Sequence, residues 1–172
     1  MTVLRTDRLL LRELTPADDA FILRLMNDEA WLANIGDRGI RTLEDARGYL
    51  DEGPWTQYRA LGFGFYAVEM DEARIPVGVC GLARRAHLDA PDIGFAFLPE
   101  HRGGGYAGEA AAAVLGFAAS LGLPRVVATV RPANAASRRV LARLGMSEES
   151  SFISPSSGEP VLLYGIRLEV GR

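Results

Sequence analysis

Residues 92–110 read Asp92-Ile-Gly-Phe-Ala-Phe-Leu-Pro-Glu-His-Arg102-Gly-Gly-Gly-Tyr106-Ala-Gly-Glu-Ala110, passing from strand chemistry to helix chemistry through three adjacent glycines. Ile93, Phe95 and Phe97 alternate with Gly94 and Ala96, so a strand here has one bulky face and one bare face. From Tyr106 an alanine-rich run to Ser120 has helix composition, and Leu121-Gly122-Leu123-Pro124 stops it, with Gly122 suited to a left-handed cap. Residues 125–130 are rich in β-branched side chains and read as another strand. Strand, helix and strand in this order form a parallel βαβ unit. In its first turn, Arg102 to Ala107 expose consecutive backbone N–H groups at the positive end of a helix dipole, a cradle suited to a pyrophosphate. Backbone freedom alone is the plainer reading of these glycines, but three in a row exceed what a turn requires.

On the N-terminal side, residues 8–14 read as a strand, and Thr15-Pro16-Ala17-Asp18 opens a helix through a capping box with Pro at its first position. Trp31 to Arg41 reads as a loop, and Thr42-Leu-Glu-Asp45 starts a second helix that ends near Gly53-Pro54. Runs at 63–70 and 75–82 are expected to form an antiparallel hairpin. On the C-terminal side Asn134 caps a helix to about Leu144, and strands at 146–153 and 160–169 flank a Ser/Pro/Gly turn. The expected order is β-α-α-β-β-β-α-β-α-β-β, a mixed α/β fold.

The 172 residues suit one domain, 1–172. No apolar run approaches the ~20 residues of a membrane span, and the charged start lacks a signal-peptide core. With a single cysteine, Cys80, expected in the core, the cytoplasm is the expected compartment. The net charge of −3 offers nothing to nucleic acid and mildly repels an anionic cofactor, so an anion must be held by local donors. Gly103-x-Gly105-x-x-Gly108 also matches a dinucleotide pattern. That reading lacks the acidic residue expected ~20 positions on, because the next strand ends Thr129-Val130-Arg131. The bare face of strand 92–98 instead leaves room for a thin arm such as pantetheine.

With these residues the chain resembles the GNAT superfamily of N-acetyltransferases, and most of all its RimJ/RimL-like branch, named for enzymes that acetylate ribosomal protein N-termini. Arg102, Gly105 and Ala107 match the family's Arg/Gln-x-x-Gly-x-Gly/Ala pattern. Residues 92–99 resemble its cofactor strand, and Asn134-Ala-Ala-Ser137 with Leu-Ala-Arg-Leu-Gly-Met146 resembles its asparagine-to-serine signature. The opening Leu4-Arg-Thr-Asp-Arg-Leu-Leu-Leu-Arg-Glu13 is similar to the branch as well. The resemblance implies a mostly antiparallel sheet of about seven strands with helices on both faces, and acetyl-CoA (coenzyme A) as cofactor. It implies that Phe95, Ala96, Phe97 and Leu98 hold the pantetheine arm through backbone amides and that Arg102, Gly103, Gly104, Gly105, Tyr106 and Ala107 hold the pyrophosphate. Asn134 and Ser137 lie beside the cofactor in relatives, whose tyrosine proton donor is replaced here by Leu141. No metal is implied, and related proteins often form homodimers.

The implied chemistry is direct attack of a neutral amine on the thioester. Thiolate departure needs modest help, since a thiol has a pKa near ~8.5. The amine is harder: an α-amino group near ~8 is roughly a tenth neutral at pH 7, whereas a lysine near ~10.4 is about 0.04% neutral. Carboxylates at strand ends, Asp92 first and then Glu69 and Glu100, are the candidate bases, Asp92 acting through a water; for each, a solvated strand-end carboxylate is the plainer reading. In place of the tyrosine either Ser137, a water, or no acid serves, with Ser137 the candidate residue, and Asn134 is also a plain helix N-cap. Trp31, Trp55 and Tyr58 are candidates for an aromatic acceptor wall for a small amine or peptide N-terminus, and serve equally well as core residues. A non-catalytic acyl-CoA-binding domain is the alternative function.

Overall fold

The computed structural model describes residues 2–169. The strands are β1 (Thr2–Arg5), β2 (Leu9–Glu13), β3 (Phe65–Met70), β4 (Pro76–Ala83), β5 (Asp92–Phe97), β6 (Arg125–Val130), β7 (Ser147–Ile153) and β8 (Pro160–Arg167). They form one mixed sheet in the order β1-β2-β3-β4-β5-β6-β8-β7, in which only β5 and β6 pair in parallel. The strand missed in the sequence is β1, four residues that lie antiparallel against β2 and are too short to show a period.

The helices are α1 (Asp19–Met26), α2 (Glu29–Asn34), α3 (Leu43–Leu50), α4 (Thr56–Leu61), α5 (Tyr106–Ser120) and α6 (Ala135–Arg143). The α2 helix occupies part of the expected loop, because Asp28 caps it, accepting the N–H groups of Ala30 and Trp31 at 3.1 and 3.4 Å. The helix expected to end at Gly53-Pro54 does not end there. One wide turn over Asp51–Trp55 accommodates Pro54, the Thr56 hydroxyl satisfies the Asp51 carbonyl at 2.9 Å, and α4 runs on to a left-handed cap at Gly62.

Strand alternation builds two cores. Tyr66, Val68, Cys80, Leu82, Ile93 and Phe97 face α5, which meets them through Ala110, Ala111, Val114 and Ala118. Ala67, Val79 and Leu98 face the other side, against Ile22, Leu25, Trp31 and Leu50. Small residues let α5 lie close to the sheet, so its N-terminus sits at the C-terminal end of β5. No helix among the described residues is long and apolar enough to cross a membrane.

Candidate active site

The site begins where the parallel pair fails. β5 and β6 share a single bridge, Asp92 to Val127. Val127 N–H donates to the Pro91 carbonyl at 2.9 Å, but Thr129 N–H, next in register, donates to the Asp92 carboxylate at 3.3 Å. A side chain stands where a strand carbonyl would continue the ladder, and the strands part. Asp92 is 4% exposed and its other oxygen receives Arg85 Nε at 2.7 Å. Burial pushes its carboxyl above the usual aspartate range, opposed by Arg85, the Thr129 N–H and His87.

Parting leaves one edge of β5 open. Leu98 N–H donates to the Val77 carbonyl at 2.9 Å. Successive residues of a strand present their backbone groups to opposite sides, so Ala96 and Leu98 face β4 while Phe95 and Phe97 face the gap. This corrects the expected amide set. Ala96 and Leu98 have no free N–H for a pantetheine arm, and the Leu98 side chain lies in the core. Nor is the bare face of the strand vacant: a Cβ on Gly94 would stand 2.9 Å from the Phe65 ring. Room for a thin ligand lies along the open edge.

At the far end of β5 the glycine turn forms the cradle. Gly103 and Gly105 have φ of +81° and +79°, a left-handed backbone that favours glycine, and a Cβ on Gly104 would meet the Tyr106 ring at 2.8 Å. With Gly105 as N-cap, the first-turn N–H groups of α5 carry no side-chain cap. Arg8, which the sequence reading missed, pins this turn: Nη1 donates to the Gly104 carbonyl at 2.9 Å, Nε pairs with Glu109 at 2.7 Å, and the guanidinium lies 4.6 Å over Tyr106. Although burial alone would raise it, hydrogen bonds from Thr6 and Arg8 hold the Glu109 carboxyl below its usual range. The Arg102 guanidinium binds no cradle group; it is held by Asp28 and by the Phe97 carbonyl at 3.0 Å. The Arg102 N–H donates to the Pro99 carbonyl at 3.3 Å, so the expected pyrophosphate contact from Arg102 is corrected and the free amides begin at Gly103.

One cleft of about 890 Å³ joins these parts. Phe95, Ala96 and Phe97, the turn from Arg102 to Ala107 except Gly104, Asp92, Asn134, Ser137 and Trp31 line it. The Asn134 side chain accepts Ser137 N–H at 3.2 Å as the N-cap of α6, and Leu141, one turn beyond Ser137, adds a buried apolar surface. Of the other carboxylates, Glu69 is bound to Arg12 at 2.7 Å and Glu100 to Arg24 at 2.7 Å, both outside the cleft. Trp55 and Tyr58 are also outside it. Trp55 donates to the Leu14 carbonyl at 2.7 Å, and Tyr58 stacks on Tyr66 at 5.5 Å with its hydroxyl on the Phe65 carbonyl. Both tie α3 and α4 to the sheet.

The charge of the cleft also departs from the composition. Arg38, Arg85, Arg102, Arg131, Arg139 and Arg143 line it against Asp28, Asp92 and Glu109, six cations to three anions in a chain of net charge −3. Arg139 and Arg143 are one turn apart on α6, too far from the glycine turn in sequence to read as a cluster. An open strand edge, a side-chain-free turn and a surplus of guanidinium fit a phosphorylated pantetheine cofactor.

The family description "Acetyltransferase (GNAT) domain" matches residues 8–147. An uncharacterized N-acetyltransferase of Bacillus subtilis, YoaA, is 29% identical over 150 residues, 86% of this chain and 84% of that protein. The crystal structure of an acetyltransferase from Agrobacterium tumefaciens superposes with a TM-score of 0.80 at 28% identity, covering 95% of this chain and 92% of that one. RimL, a ribosomal L7/L12 α-N-protein acetyltransferase solved with coenzyme A, shares the fold with a TM-score of 0.85 at 19% identity, covering 99% and 100%. A strand pair that opens beside a phosphate cradle, in a chain matched over most of its length by this family, makes the protein a member of the GNAT acetyltransferases, an enzyme dependent on acetyl-CoA.

Proposed function

We propose that this enzyme acetylates a primary amine, a small amine or a peptide N-terminus, by direct attack within a ternary complex, as in the RimJ/RimL-like branch. The observation that carries the reading is the single cleft running from the glycine turn, along the open edge of β5, to the buried carboxylate of Asp92. Acetyl-CoA supplies the thioester that the amine attacks and the thiol that leaves.

The amides of Phe95 and Phe97 bind the pantetheine arm, and those from Gly103 to Ala107 bind the pyrophosphate. Arg139 and Arg143 neutralise further phosphate charge. Asp92 takes the ammonium proton through a water: Arg85 and the Thr129 N–H fix both its oxygens, and burial raises its affinity for that proton. Ser137 is the hydroxyl nearest in sequence to Leu141 on the cleft face of α6, and it relays a proton from solvent water to the departing thiolate, the role that the leucine cannot fill.

Calorimetric titration with acetyl-CoA, followed by thiol release across an amine panel, tests the reading. Binding with turnover is expected; binding without turnover of any amine would leave only an acyl-CoA-binding domain. Ser137→Ala is expected to lower kcat by about ten- to a hundredfold with little change in acetyl-CoA affinity. Equal loss of both would make Ser137 a cofactor contact.

A further inference from the structure

Every carboxylate that lines the cleft is already paired: Asp28 with Arg102, Asp92 with Arg85, Glu109 with Arg8. The arginines are in excess. At the end of the cleft away from the glycine turn, Arg38 follows α2 and has no carboxylate within ion-pair distance among the described residues; its neighbour Asp37 is taken by Arg41. The Arg38 guanidinium lies 5.8 Å over the ring of Tyr49. Burial raises the Tyr49 phenol, opposed by the positive charges of Arg38 and Arg85, and all three residues line the cleft. Trp31 lines the same cleft, 8% exposed, and its indole N–H is the buried donor left without an acceptor among the described residues. An unpaired guanidinium in a cleft whose carboxylates are all taken calls for a ligand that brings negative charge.

We propose that the acceptor is a small amine bearing an anionic group, first of all a carboxylate, which pairs with Arg38 and is selected over neutral and cationic amines. The inference rests on the acetyltransferase reading above and names its substrate class. A polyamine meets no free carboxylate here, since Asp92 is balanced by Arg85, and it is repelled by Arg38. The same positive field serves the chemistry. Nearby cations disfavour an ammonium, so the surplus guanidinium of the cleft also enlarges the neutral fraction of the amine.

Matched pairs test this with the full-length enzyme and saturating acetyl-CoA: an apolar α-amino acid against its carboxamide, O-phosphoethanolamine against ethanolamine, and spermidine as the cationic probe. The acid is expected to exceed its carboxamide by about tenfold or more in kcat/KM, chiefly through KM, with the gap narrowing as salt rises. Calorimetry of both compounds with the CoA-bound enzyme is expected to show the same preference without turnover. Arg38→Gln should bring the acid-to-amide ratio near one by raising KM for the acid, and Arg38→Lys should keep most of it. A larger preference within the phosphate pair keeps the anionic class and assigns phosphate as its source. Equal or better use of the carboxamide or spermidine, or an unchanged ratio in Arg38→Gln, overturns the proposal while leaving the transferase reading intact. Absence of thiol release with every amine overturns both.

Discussion

Asp92 joins two jobs that are usually separate: its carboxylate terminates the β5–β6 ladder at Thr129 and faces the cleft that this termination opens. Its raised carboxyl fixes the sign of the pH dependence. Its contribution to stability is complete below the ordinary aspartate value of ~3.9 and is lost as pH rises through the raised value. As a base it works only above that raised value, so kcat/KM should fall on the acid side at a pH above ~3.9. Asp92→Asn should abolish that limb; a uniform loss of rate with the limb retained would leave Asp92 as a strand wedge only. At the cradle, Gly105→Glu places a charge among the phosphate donors and forces a side chain into φ +79°, at a strain of about 1–2 kcal/mol. Coenzyme A binding should be lost by calorimetry, whereas Gly105→Asn, which tolerates that backbone and carries no charge, should bind more weakly but measurably. Unchanged affinity in the glutamate variant would place the diphosphate elsewhere.

The helix α5 carries the cradle only because its inner face is small. Ala111 is fully buried against the sheet, so Ala111→Leu should cost about 1–3 kcal/mol in urea unfolding and weaken coenzyme A binding by shifting the helix N-terminus. A destabilised variant with wild-type affinity would show that the cradle adjusts by itself. Elements of this kind were legible in the chain: the glycine turn, the alanine helix and its Gly122 stop announce themselves by composition and period. The run through Pro54 was not, because its continuation depends on Thr56 reaching back to Asp51, a contact with no sequence period. The family resemblance implies cofactor-holding amides at Ala96 and Leu98 as much as at Phe95 and Phe97, because it does not say which edge of the strand is paired. Arg8, 96 residues before Gly104, and the unpartnered Arg38 acquire meaning only from contacts across the fold.

Across the whole molecule, weak net acidity conceals a cationic interior channel. The α2 helix borders it and is tied to the cofactor half at both ends: Asp28, its cap, to Arg102, and the Ala33 carbonyl to Arg131 at 2.6 Å. Trp31 and Arg38, on and just after that helix, are thereby coupled to the cradle turn. Acetyl-CoA is accordingly expected to bind before the amine, and product coenzyme A should compete with acetyl-CoA but not with the amine. Competition against both would indicate random binding. All 19 basic residues of the chain are arginine. Guanidinium keeps its proton throughout the physiological range and is no acyl acceptor, whereas lysine is acetylated readily. A catalyst that works beside a reactive thioester with no side-chain ammonium in its walls cannot silence its own electrostatic field by self-modification.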